Sequence, residues 1–326
     1  MNKLYPIKFK PILKDKIWGG NKLRSILNKK EASDTCGESW EVSDVENDVS
    51  IVSNGFLAGN NLRELAEIYM DDLLGEKIFE KFGNQFPLLV KFIDAKDKLS
   101  IQVHPDDKMA KEENFENGKT EIWYILDHEP EAELITGFNQ KINKETYLKN
   151  LQNNTLPEIL NWEKVQKGDV FYLPAGRIHA IGEGILLVEV QQSSDITYRI
   201  FDWNRTDSEG KPRALHTEKA LKAIDFNFYD HYKTDYEILL NKTTNIIDSP
   251  YFMVNNLQFD QPVEKDYNLI DSFVIYIALD GKFFVNPLEG NPVEVKKGEC
   301  VLIPAVLKNL TIEPLKLAKL LEVYIK

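Results

Sequence analysis

The chain has 326 residues, and its 40 Lys and Arg against 52 Asp and Glu leave a net charge of −12. At roughly 100–200 residues per domain this is two domains or one enlarged one, and a 43% hydrophobic content can fill such cores. Apolar runs no longer than residues 273–279 fall short of the ~20 residues of a bilayer helix, which excludes a helical membrane protein. The acidic balance, with no Lys/Arg cluster, argues against a nucleic-acid partner. Residues 1–10 break their apolar positions with Pro6 and three lysines, so no secretory signal is read and a cytoplasmic location is expected. Cys36 and Cys300 make no disulfide framework and no thiolate zinc site.

In chain order, residues 61–82 place Leu62, Leu65, Tyr69, Leu73 and Phe79 at steps of three or four, with Asn61 and Glu64 spaced as a capping box; a helix is predicted. Short β-like runs follow at 87–93, 99–103 and 121–126, bounded by Pro, Asp or Gly. Residues 144–162 read as a second helical stretch carrying Tyr147, Leu148, Leu151, Ile159 and Leu160, with Pro157 in the opening turn of its second helix. Strands are then predicted at 170–173, 185–191 and 196–201, and a third helix at 218–224 after Thr217. Such spacing suits an antiparallel sandwich or barrel decorated by helices, a mainly β fold.

An internal repeat organises these elements. Lys167-Gly168-Asp-Val-Phe-Tyr-Leu-Pro174-Ala-Gly176-Arg-Ile-His179 recurs as Lys297-Gly298-Glu-Cys-Val-Leu-Ile-Pro304-Ala-Val306-Leu-Lys-Asn309, 130 residues on. Ile122-Trp-Tyr-Ile-Leu-Asp127 recurs as Ile275-Tyr-Ile-Ala-Leu-Asp280, 153 residues on. The difference of 23 residues marks an insertion in the first copy, about the size of the 144–162 stretch. Two β domains of similar plan are expected: 1–230 with helical insertions at about 60–82 and 144–162, and 231–326 without them. In the second copy Asn309 takes the place of His179, so that domain is read as metal-free and structural.

The pattern Gly-x5-Pro-x-Gly-x2-His ending at His179 resembles the second motif of the cupin superfamily, which implies two jelly-roll domains. Upstream, Ser100, Gln102 and His104 share one strand face because side chains alternate with period two, and Glu121 opens the next strand. Gln102, His104, Glu121 and His179 would meet in one cavity, a sulfur-free set that suits Zn²⁺, Mn²⁺ or Fe²⁺. The chain has only five histidines, and two of them fall at these motif positions.

With Ser-Ile-Gln-Val-His-Pro-Asp at 100–106, Gly118-Lys-Thr-Glu-Ile-Trp-Tyr124 and Pro174-Ala-Gly-Arg-Ile-His-Ala180, the sequence resembles the type I mannose-6-phosphate isomerases, in particular their short bacterial form. Trp18-Gly-Gly20, Cys36-Gly-Glu-Ser-Trp-Glu-Val-Ser43 and Ser194-Asp-Ile-Thr-Tyr-Arg199 extend the resemblance almost end to end. It implies reversible conversion of mannose 6-phosphate, a small-molecule sugar phosphate, into fructose 6-phosphate, with one Zn²⁺ per chain held by Gln102, His104, Glu121 and His179 and a catalytic arginine at Arg199.

An aldose–ketose exchange through an enediol needs a Lewis acid, a base and a cation for the oxyanion. Glu189, with the strand parity of Gln191, is the leading base candidate; Lys119 or a metal-bound water is the alternative. Ser100, Lys119, Arg205 and Trp18 are candidate substrate contacts, Arg205 because the Gly and Pro-Lys that follow the arginine in long family members are absent here; Trp203 is a further candidate for the sugar site. Oligomeric state is left open, a monomer being compatible with the chemistry. Two rival readings stand at this stage: a metal-dependent cupin oxygenase, since two His and one carboxylate also describe a non-haem iron site, and a non-catalytic sugar-binding cupin.

Overall fold

The structure is a computed structural model and describes residues 3–206 and 210–326. Strands of the first two-thirds form two large antiparallel sheets, beside a small hairpin of Asp44–Val45 and Asp48–Val49. One has six strands in the spatial order Ile12–Gly20, Cys36–Val42, Leu88–Ala95, Ile185–Gln192, Glu121–His128 and Val170–Leu173. The other has five, in the order Tyr198–Phe201, Ile101–Val103, His179–Ala180, Glu133–Phe138 and Leu160–Lys164. The last third repeats the plan with a five-stranded and a four-stranded sheet. The molecule is therefore mainly β, a cupin fold with helical decoration.

Period-two alternation sets the layers. On Ile185–Gln192, Leu186, Val188 and Val190 point outward into an apolar cluster shared with Ile275, Leu302, Leu321 and Val323 of the second half, so the two large sheets pack back to back. Leu187 points the other way, into the first barrel with Trp123, Ile125, Phe171 and Leu173. The second barrel has its own interior around Tyr276, Phe283, Val301 and Leu310. A further cluster under the five-stranded sheet, including Ile101, Val103, Tyr147 and Ala220, is covered by the helices Lys144–Gln152 and Thr217–Ala223.

The helical insertions depart from the sequence reading in informative ways. Asn61 and Glu64 do form the reciprocal capping box, each backbone N–H donating to the other's side chain at 2.9 Å. The stretch is, however, Leu62–Leu74, itself kinked at Met70 with φ 46°, and Glu76–Phe82, the two divided at Gly75 with φ 97°. A Cβ there would stand 2.5 Å from the Asp271 carbonyl oxygen, and the Asp271 carboxylate accepts from Glu76 N at 2.8 Å and Lys77 N at 3.0 Å. The break is thus where the second barrel docks. The predicted second helix after Pro157 is only a 3₁₀ turn, Leu156–Ile159, followed by the edge strand Leu160–Lys164 paired with Glu133–Phe138. Alternation of Leu160 and Trp162 on an open sheet edge outweighs the helical spacing, and Asn154, with φ 57°, has already stopped the chain's helical run.

The repeat is visible in the pairing register. Glu121 faces Leu173 in the first barrel as Val274 faces Ile303 in the second, and Glu189 faces Trp123 as Glu322 faces Tyr276. One substitution inferred from the alignment needs correcting. His179 pairs with Gln102 and points inward, whereas Asn309 points away from the second interior and Leu310 takes the inward position, paired with Lys265. The turn after Pro304 is effectively one residue longer, and a one-residue slip changes the face of every side chain. Among the described residues no helix is long and apolar enough to cross a membrane.

Candidate active site

His104 follows directly on the short strand Ile101–Val103, and His179 lies on its neighbour, so two adjacent strands present imidazoles to the same interior. Gly176 makes this possible: its φ is 87°, its N–H donates to the His104 carbonyl at 2.9 Å, and a Cβ on it would stand 2.9 Å from the Ala223 oxygen. Only glycine fits such a turn.

His104 Nδ1 lies 3.0 Å from the Ile196 carbonyl oxygen and His179 Nδ1 2.8 Å from that of Arg177. A carbonyl can only accept, so both Nδ1 atoms carry the proton and both Nε2 lone pairs are left bare. These two Nε2 atoms face each other at 3.1 Å, with Glu121 Oε2 3.5 Å from one and Oε1 3.3 Å from the other. The carboxylate is fully buried and neither oxygen has a geometrically sound hydrogen bond among the described residues. Burial and the Lys119 charge push His104 down to about 3, and burial lowers His179 as well. Burial would raise Glu121, but the Lys119 ammonium outweighs it and holds the carboxyl well below its usual range. Neutral imidazoles and an ionised carboxylate aimed at one point are the donor set a transition metal takes, with outer hydrogen bonds fixing each ring.

Gln102 lies beside the triad, its backbone paired with both His179 and Arg199, so all three residues share the inner face. Lys119 Nζ stands 3.0 Å from Glu121 Oε2, and Ser100 is buried just before the Gln102 strand. Arg199 donates to the Ala214 carbonyl at 3.0 Å, while its buried Nε has no partner among the described residues. Burial and then Arg213 lower its affinity for its proton.

Other expectations meet a different geometry. Glu189 is buried with both oxygens occupied, Oε1 accepting from Lys91 Nζ at 3.0 Å and Oε2 from Trp123 Nε1 at 2.9 Å. The carboxylate is committed to an ammonium and an indole, and it fixes Trp123, whose ring stands edge-on to His179 at 5.3 Å. Trp18 is 5% exposed and packs in the barrel core with Trp123, so it is a core side chain and not an open sugar contact. Trp203 packs beside Phe201 and Trp162 and donates to the Leu99 carbonyl at 2.7 Å. Arg205 is tied to Asp202 at 2.6 Å and to the Lys98 carbonyl at 2.5 Å, and Arg213 grips the same Asp202 at 2.6 and 2.7 Å.

Sequence reasoning missed Arg213, Asp202 and Lys91. A lysine inside the apolar run 88–93 was the available signal for the last, because a buried ammonium demands a partner.

The barrel, the bare His–His–Glu set and the cationic residues at its side define a metal-binding cupin enzyme. A model of the phosphomannose isomerase type I catalytic domain matches residues 7–143. The mannose-6-phosphate isomerase ManA of Bacillus subtilis is 37% identical over 94% of this chain and 96% of its own, and a Streptococcus mutans mannose-6-phosphate isomerase 36% identical over 93% and 94%. The crystal structure of the Bacillus subtilis mannose 6-phosphate isomerase superposes with a TM-score of 0.89 at 34% identity, covering 99% of this chain and all of that one. The chain belongs to the type I mannose-6-phosphate isomerase family.

Proposed function

We propose that the protein interconverts D-mannose 6-phosphate and D-fructose 6-phosphate, with Zn²⁺ held by Gln102, His104, Glu121 and His179. The observation that carries this reading is the pair of buried, unprotonated Nε2 atoms converging on a carboxylate without hydrogen-bond partners, in a chain of this family. When bound, the divalent ion would supply Lewis acidity to the sugar oxygens.

Arg199 offers an unsatisfied N–H on the inner face, the cation needed as negative charge builds on the sugar oxygen during enolisation. Lys119, whose Nζ stands 3.0 Å from the Glu121 ligand, is assigned here the transfer of the proton between the two adjacent carbons, and the same base must release it for the reaction to be reversible. Arg205 and Arg213 grip the carboxylate of Asp202, with Asp97 a further 3.7 Å partner of Arg205, and Arg199 stands near enough to feel their charges: three guanidinium groups gathered beside the site in a chain of net charge −12. They suit the phosphate end of the substrate, and Arg205 Nε is likewise buried without a partner among the described residues. Neither rival reading uses this arginine group: an oxygenase or a sugar-binding cupin has no need of it.

A coupled assay for fructose 6-phosphate tests the proposal. Activity should vanish on chelation and return with Zn²⁺; full turnover by metal-free protein would exclude it. A single chain holds every residue invoked.

A further inference from the structure

On the side of the large sheet away from the triad, a cleft of about 540 Å³ opens between the two barrels. It is bounded by the N-terminal segment, the loop after the short helix Lys22–Ser25, and the turn of the second barrel around Gly298. Its walls are fixed. Ile7 and Leu302 exchange backbone hydrogen bonds of 2.7 and 2.8 Å, and a Cβ on Gly298 would stand 2.8 Å from Leu27 Cβ. A cavity of this size suits a small ligand.

Six lysines line the cleft: Lys8, Lys10, Lys29, Lys30, Lys296 and Lys297. Three carboxylates accompany them, and two are already neutralised. Glu41 is buried against Lys29 at 2.6 Å and accepts from Ser39 at 2.5 Å; Glu299 accepts from Lys8 Nζ at 2.7 Å and from Lys296 N at 2.8 Å. Lys296 is paired with Glu294 at 2.6 Å. Lys10, Lys30 and Lys297 have no ion pair among the described residues, and only Glu31 stands against them. A preformed cleft with surplus ammonium groups, contributed by both barrels of an otherwise acidic protein, is an anion site. Lys10 and Lys30 come from the first barrel and Lys297 from the second, so a ligand that engages both sides of the cleft is one with more than one charged group.

We propose that this cleft binds a small polyanion bearing two or more phosphoryl groups, at a site separate from the catalytic one and spanning the two barrels. No lining residue belongs to the metal-binding or arginine groups.

The test is calorimetric titration of the metal-loaded protein with fructose 1,6-bisphosphate while saturating fructose 6-phosphate fills the active site. One bisphosphate per chain should bind, more tightly than orthophosphate and less tightly as salt rises. Lys10→Glu/Lys30→Glu/Lys297→Glu should weaken binding at least about tenfold, with kcat and KM for mannose 6-phosphate unchanged. Should that variant lose activity, Lys10→Gln/Lys297→Gln provides the same comparison with a smaller perturbation. Absence of bisphosphate binding under these conditions, equal affinity for orthophosphate, or unaltered affinity in the lysine variants would each overturn the proposal.

Discussion

At the scale of single residues, the site separates groups that hold the metal from groups that act on the sugar. His179 has one nitrogen fixed by the Arg177 carbonyl and the other aimed at His104 and Glu121, so His179→Ala removes a ligand whose orientation is already set. It should lose most bound metal and with it activity. Arg199 touches none of the three ligand side chains, and Arg199→Ala should keep the metal while lowering kcat by about 10²–10³. Metal content by atomic absorption beside steady-state rates separates the two; equal metal loss in both would refute the division. Glu189 and Lys119 divide in a comparable way. Glu189→Gln leaves the buried Lys91 with a neutral partner, and Lys91 is a charge whose proton is held tightly, because Glu189, Glu38 and Asp195 outweigh the burial that would loosen it. That variant should lose thermal stability while retaining exchange of the sugar proton with deuterated solvent. Lys119→Met should instead remove exchange in protein that keeps its metal. If Glu189→Gln abolished exchange in folded protein, Glu189 would be the base after all.

Elements inherit their chemistry from register, and this decides what a sequence can reveal. The triad was legible because histidine is rare here, the Pro-x-Gly turn dictates where His179 falls, and period two puts His104 beside it. The arginine group was not, because nothing in the spacing of Asp202 and Arg213 along the sequence marks them as partners. Parity also explains the second barrel. There Lys265 and Tyr267 hold the inward positions corresponding to Gln102 and His104, while Val274 and Leu310 replace Glu121 and His179. Lys265 pairs with the buried Glu322, which also accepts from Tyr267 at 2.7 Å and Asn255 at 3.1 Å. An internal ammonium thus neutralises the counterpart of Glu189. Lys265→Met would strand that carboxylate and should destabilise the protein by about 3–5 kcal/mol in urea unfolding, whereas Lys265→Met/Glu322→Met should be milder. A double variant no better than the single one would show that packing, not charge, is lost. Burial would raise the Glu322 carboxyl, but Lys265 outweighs it and the folded value lies below the ordinary ~4.3. Its stabilisation is therefore complete above that pH and lost as pH falls through the folded value, so the stability gap between the native protein and Glu322→Gln should narrow below about pH 4.

At the scale of the whole molecule the two barrels are joined by a core, not a linker. Leu302, Ile275 and Val323 of the second half lie in the same buried cluster as Phe92, Tyr124 and Val188 of the first, and the outer face of the six-stranded sheet would be left apolar without them. A shared core of this kind couples the stabilities of its two sides. The placement of aromatic residues makes the coupling measurable: all five tryptophans, from Trp18 to Trp203, belong to the first half, while Tyr267 and Tyr276 lie inside the second. Leu302 is fully buried in the shared cluster and its backbone bonds to Ile7, so Leu302→Ala opens a cavity at the junction worth about 2–5 kcal/mol. If the barrels fold as one unit, tryptophan fluorescence, which senses only the first barrel, should report an unfolding midpoint lowered as much as that of far-ultraviolet circular dichroism, which senses both. A tryptophan transition unmoved by Leu302→Ala, beside an early second transition in the dichroism, would mean that the barrels unfold independently and that their common core does not bind them into one cooperative structure.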